Sequence, residues 1–166
     1  MSKRIYFIVL LLFSLPVNAG IEDGDFAVSV YGSLSAVSVG TEDSDSLTLF
    51  ASGGYFITES IELQGALLLS TAETSGGSTY DVTGYGLNAN YYFAEINQNL
   101  VTYVGIGALY LATDLDGEED SSGAFTGQLG IKHFVDEKVS FNYQAQGVAS
   151  LFFDATILSI GLSYYF

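Results

Sequence analysis

From Phe26 onward the chain alternates between apolar and small or polar side chains, and it does so for most of its length. A period of two is the signature of an extended strand with one apolar face and one polar face. In the first such stretch Phe26, Val28, Val30, Gly32, Leu34 and Ala36 share the apolar face, and Ala27, Ser29, Tyr31, Ser33 and Ser35 lie between them. The same reading yields strands with Leu47 to Tyr55, Ile61 to Leu69, Tyr85 to Phe93, Phe125 to His133, Val139 to Ala145 and Leu158 to Phe166 as apolar series. The fifth strand is the least regular. Its apolar face is assigned to Val104, Ile106, Ala108 and Tyr110, with Gly105 and Gly107 opposite.

What the apolar faces touch follows from where the charges are. No charged residue falls on any of those faces, whereas Glu62 and Lys132 fall among the Gln, Asn, Ser and Gly of the other. A water-soluble barrel places apolar groups inside and charges outside. An uncharged apolar exterior around a polar interior is the transmembrane arrangement, and in lipid a sheet must close on itself to pair its edges. The predicted fold is therefore all-β: an eight-stranded, antiparallel, up-and-down transmembrane β-barrel. After residue 20 no apolar run is long enough for a helical span, which needs about 20 residues.

The first residues read separately. Lys3 and Arg4 precede the apolar run Ile5–Leu15, Pro16 follows, and Val17-Asn18-Ala19 is a small-residue cleavage pattern, as in an export signal. Residues 1–19 are expected to be removed and 20–166 to form the barrel domain, with no cysteine after the cut for a lipid anchor. Loss of Lys3 and Arg4 takes the formal charge from −15 to −17 and leaves Lys132 and Lys138 as the basic residues. So acidic a chain is not expected to bind nucleic acid, which needs clustered Lys and Arg. Without cysteine, neither a disulfide framework nor a thiolate metal site is available.

The connections alternate in character. Ile57–Ser60, Val135–Lys138 and the slightly longer Ala94–Asn99 read as short turns. Gly40–Ser46, Thr71–Thr79 and Thr113–Gly123 read as longer acidic loops, and Val148–Asp154 as a fourth connection made apolar by Leu151, Phe152 and Phe153. Short turns are periplasmic in outer-membrane barrels. A weak internal repeat aligns Gly54–Glu62 with Lys132–Ser140. Tyr55, Tyr91, Phe93, His133, Phe141 and Tyr164 are assigned to an interfacial girdle, since amphipathic rings favour that depth.

Three segments carry a likeness to a known family: the run from Gly54 through Leu63, the Tyr103–Gly107 segment, and the ending Ser159–Phe166. Over roughly the whole mature length the chain resembles the small eight-stranded bacterial outer-membrane β-barrels, the opacity-type and OmpA-like barrel domains. The resemblance implies that Ser159, Gly161, Tyr164 and Phe166 match the C-terminal signal read by the barrel assembly machinery. It also implies a structural or interaction protein rather than an enzyme, at home among outer-membrane lipid and lipopolysaccharide. Larger relatives carry a peptidoglycan-binding domain after the barrel; none follows Phe166, so an anchor to the cell wall is not expected.

Four features are candidates for chemistry. Glu62 and Lys132 are expected to face one another in the lumen as an ion pair, serving either as a gate or as a structural plug. The plug is preferred because an eight-stranded interior is just wide enough for side chains to fill, although inward glycines leave room for water and a minor conductance. Asp114, Asp116, Glu118 and Asp120 offer hard oxygens for a divalent cation but lack the EF-hand spacing, so a solvated loop is preferred. His133, the sole histidine, invites comparison with a lipid-A-modifying hydrolase, yet position 135 is Val where that pattern needs Ser. Leu151–Phe153 is either an adhesive tip or the upper end of the last hairpin. No cofactor is expected, and the extracellular ligand stays open. The expected role is a non-enzymatic integral barrel of structural or surface-interaction type. The alternatives are a narrow pore for water or small solutes and, third, the lipid-modifying enzyme.

Overall fold

A computed structural model describes residues 21–39, 42–74, 79–97, 99–115, 118–150 and 154–166. The expected export signal and the Leu151–Phe153 segment lie outside the described residues. Eight strands follow one another: β1 (Phe26–Val39), β2 (Glu42–Thr58), β3 (Ile61–Thr74), β4 (Thr79–Asn97), β5 (Leu100–Leu115), β6 (Glu118–Asp136), β7 (Val139–Ser150) and β8 (Asp154–Tyr165). Each pairs antiparallel with the next, and β8 pairs with β1 to close the barrel. That seam is short, running from Ala27↔Tyr165 to Gly32↔Ile160. Among the described residues no helix is long and apolar enough to cross a membrane.

The faces fall as the alternation requires. Leu87, Ile106, Phe125 and Leu158 point outward, with Phe125 78% exposed, while Ser29, Gln64, Asn90, Gln128 and Asn142 are buried inside. The fifth strand adopts the predicted parity: Val104, Ile106 and Tyr110 are exposed, and Tyr103, Leu109 and Leu111 are buried.

The ladders run further than the sequence suggested. The loops expected at Gly40–Ser46, Thr71–Thr79 and Thr113–Gly123 are largely strand: β2 begins at Glu42, β3 continues to Thr74, and β5 and β6 leave only 116–117 between them. At the fourth connection β7 continues to Ser150 and β8 begins at Asp154, and β4 continues through most of the turn expected at Ala94–Asn99. Outside the apolar belt, pairing needs only backbone donors and acceptors and residues tolerant of extension. Loss of apolar alternation therefore ended the readable pattern but not the strand.

The internal repeat has a backbone counterpart. The β2–β3 register shifts between Phe56 and Thr58, and the β6–β7 register shifts at the equivalent place, between Phe134 and Asp136. Such bulges, common at barrel rims, increase local twist. Here they leave Phe56 and Phe134 fully buried at the turn end of the lumen.

Candidate functional site

Among the described residues polar and charged side chains converge in the interior, which is layered. At the end holding the short turns, the start of β1 and the end of β8, Ala27, Phe56, Tyr92, Val101, Tyr103, Phe134 and Tyr165 form an apolar cluster. Toward the other end Tyr31, Phe50, Leu68, Leu109, Leu111, Ala124 and Val148 form a second. Their rings and branched chains come from inward positions that the sequence presented as mainly small and polar.

Between the clusters lies a belt of hydrogen-bonded amides and hydroxyls. Thr126 donates to Asn88 Oδ1 at 3.0 Å, Asn88 donates to Gln64 Oε1 at 3.4 Å, and Gln64 donates to Ser52 Oγ at 3.0 Å. A parallel series joins Gln144 to Gln128 at 3.4 Å, Gln128 to Asn90, and Asn90 to Glu62 Oε2 at 2.9 Å. A third connects Asn142 to Ser163 at 2.6 Å, with the Ser163 and Ser29 hydroxyls 2.5 Å apart.

Two of these bonds, Thr126 to Asn88 and Gln128 to Asn90, skip β5, and glycine is what lets them. Along one row the register runs Glu62↔Asn90, Asn90↔Gly105, Gly105↔Gln128, so Asn90 and Gln128 meet across β5. A Cβ at Gly105 would collide with Asn90 Oδ1 and come within 2.8 Å of Gln128 Cγ. Gly130 makes room in the same way for the Tyr103 ring, whose hydroxyl donates to Gln144 Oε1 on β7 at 2.7 Å. The inward glycines read as water space are thus filled by neighbouring side chains. Gly130→Val is expected to displace Tyr103 and lower stability by about 1–3 kcal/mol, the usual cost of overpacking. Gly127→Ala is the control: a Cβ on that outward-facing residue meets nothing within 4 Å. It should be neutral or stabilising by up to about 1 kcal/mol. Denaturant titration of the two variants side by side checks the contrast.

Glu62 and Lys132 are brought together at the turn end. Lys132 Nζ lies 3.9 Å from Glu62 Oε2, with the side chains 1% and 0% exposed. Glu62 Oε2 also accepts from Tyr92 OH at 2.6 Å. Four rings enclose the ammonium, with centroids at 5.6 Å (Phe56), 5.0 Å (Tyr92), 5.8 Å (Tyr103) and 5.2 Å (Tyr165). Negative ring faces attract a cation by about 2 kcal/mol or more each when water is excluded. The inward Lys therefore has two kinds of counter-charge, of which the sequence pointed to one.

The mouth nearest this pair is covered by the residues preceding β1. Gly24, at φ +91°, turns the chain. Its N–H donates to Phe56 O at 2.9 Å, and Phe56 N–H donates back to Asp25 O at 2.9 Å. Glu59 N–H donates to Asp23 Oδ1 at 2.6 Å, and Ile21 packs on the ring cluster.

The remaining candidates are dispersed. His133 has the outward parity assigned to the girdle but is 2% exposed, unlike Tyr55, Tyr91, Phe93 and Tyr164, which are exposed; Phe141 is half-buried. Ser140 is buried and bonded to Asn142 at 3.0 Å, and it has the parity opposite to that of His133. Among the described residues no group of three or more His, Asp or Glu could hold a metal ion. Asp116 lies outside the described residues, and the exposed Asp120 accepts from Ser121 N–H at 2.7 Å. At the C-terminus Tyr164 and Phe166 face outward with rings 4.9 Å apart, and Phe166 N–H donates to Phe26 O at 2.9 Å. Ser159 is buried, and Gly161 leaves space for Tyr31, whose Cδ1 would lie 2.5 Å from an added Cβ.

Solved structures share this architecture. Neisserial surface protein A is 15% identical, with 87% of this chain and 100% of that one covered and a TM-score of 0.71. The outer membrane protein OprG from Pseudomonas aeruginosa is 14% identical, with 90% and 99% covered and a TM-score of 0.67. Ail, the attachment invasion locus protein of Yersinia pestis, solved in complex with the heparin analogue sucrose octasulfate, is 15% identical, with 87% and 99% covered and a TM-score of 0.60. At such identities the likeness is one of fold. No curated protein matches the chain. The family model for the outer membrane protein beta-barrel domain matches residues 5–166, nearly the full length and including every strand of the closed barrel; the chain belongs to that family, and its place is the bacterial outer membrane.

Proposed function

We propose that this barrel is a closed-lumen, non-enzymatic wall protein of the outer membrane, which works through its lipid contacts and its extracellular hairpins rather than by passing solutes. The observation that carries this reading is the layered interior, with an apolar cluster at each end of a cross-linked amide belt. Water and ions crossing such a lumen would have to break the Glu62–Lys132 pair and displace several packed rings, a cost that a resting pore does not impose.

The partners follow from the two surfaces. Outer-membrane lipid contacts the Leu, Ile and Phe wall. The C-terminal positions Ser159, Gly161, Tyr164 and Phe166 serve recognition by the barrel assembly machinery. The extracellular ends carry Glu42, Asp43, Asp45, Glu73, Asp81, Asp114, Glu118 and Asp120. Like charges there favour cations, including divalent ions bridging to lipopolysaccharide phosphates. The polyanion bound by Ail has no counterpart in that charge pattern, so a heparin-type ligand does not carry over.

Planar bilayers distinguish this reading from the narrow pore. The purified, heat-modifiable barrel is expected to give no steady openings. Steady conductance abolished by Lys132→Glu would establish the pore instead.

A further inference from the structure

Among the described residues three buried atoms, Glu62 Oε1, Lys132 Nζ and Ser159 Oγ, lack a hydrogen bond, and the first two belong to one ion pair. Glu62 Oε1 accepts none, and Lys132 Nζ donates none, although both are inaccessible to solvent. An ammonium has three N–H donors, and buried polar groups almost always find partners. The 3.9 Å between Nζ and Oε2 is an ion-pair separation, too long for a direct N–H···O bond. The rings around Nζ answer its charge but not its directional donors.

Each side chain of the pair is engaged elsewhere. Oε2 is held by Asn90 and Tyr92 at 2.9 and 2.6 Å. Oε1 occupies the space that a side chain at position 54 would take, against Gly54. Lys132 is held by the four surrounding rings.

We infer that an ordered water molecule bridges Glu62 Oε1 and Lys132 Nζ, sealed in the periplasmic end of the lumen beneath Ile21. A bridging water accepts from the ammonium and donates to the carboxylate, which meets the two-partner minimum for a buried site. Ile21 and the Gly24–Phe56 and Asp25–Phe56 backbone bonds lie over the same ring cluster. Exchange with bulk water therefore requires residues 21–25 to lift.

A crystal structure of the mature chain at a resolution that shows waters, paired with water-to-protein cross-relaxation by NMR in nanodiscs, tests this. The expected result is a single density peak within hydrogen-bond distance of both atoms and a long-lived water signal at Lys132. Ile21→Gly should shorten that residence at least tenfold. Glu62→Gln with Lys132→Met leaves too few partners and should abolish the signal. A wild-type structure with Nζ bonded directly to Glu62 below 3.2 Å and nothing between them overturns the inference, as does a metal ion at that position. The wild-type measurement decides even where a variant fails to fold. It is also independent of conductance, since a barrel that conducts can still hold this water, and one that does not can lack it.

Discussion

Lys132→Met is expected to lower the unfolding free energy by about 3–5 kcal/mol, because it leaves the Glu62 carboxylate buried without its counter-charge. Nothing near Glu62 can replace that charge: its neighbours Asn90 and Tyr92 are neutral donors already engaged. Glu62→Gln should be costly in the same way, since it leaves the ammonium buried without its anionic partner. Adding Glu62→Gln to Lys132→Met should recover most of the loss. Gln keeps an acceptor for Tyr92 and Asn90, and Met keeps a polarisable chain among the four rings. Urea titration of the two single variants and the double variant in lipid vesicles measures the coupling. Additive losses would mean that the two charges do not act on one another, and the plug would then owe its stability to the rings.

The second large effect belongs to the outer wall. Leu87→Arg should cost about 2–4 kcal/mol in a bilayer, the range for a cationic side chain at mid-depth on a barrel exterior. Leu87 is 73% exposed and lies within the outward apolar series that runs from Tyr85 to Phe93 on β4. Ile57→Arg is the matched control: also exposed, it lies one residue from the end of β2, where an Arg can reach the headgroups. It should cost about 0–1 kcal/mol. The difference is a test of lipid contact itself. In a protein whose outer face met water, Arg at Leu87 would be no worse than at Ile57.

The candidate site was only half legible in advance. Glu62 and Lys132 stood out because a charge on the inward face of a strand is rare, and their positions near strand ends suggested a shared depth. Phe56, Tyr92, Tyr103, Phe134 and Tyr165 did not stand out, although they make the box around the ammonium. Phe56, Tyr92 and Phe134 stand at register shifts and Tyr165 ends β8, where the alternation weakens. Aromatic residues there read equally well as interfacial. The glycines misled for a related reason. Gly105, Gly107 and Gly130 look like vacant volume in a single strand, and only the neighbouring rows show Asn88, Asn90 and Tyr103 lying across them.

By itself the sequence determined the number of strands in the apolar belt, which side of each meets lipid, and the confinement of charge to the lumen and the rims. All of these follow from a period of two, which each strand carries in its own residues. Only the tertiary structure decided which inward residues meet, that the lumen is closed in two apolar layers, and that the ladders continue past the membrane into acidic segments. Those outcomes depend on the stagger with which eight strands close. Stagger sets the rows that bring Glu62 of β3 to Lys132 of β6, and no one strand contains it.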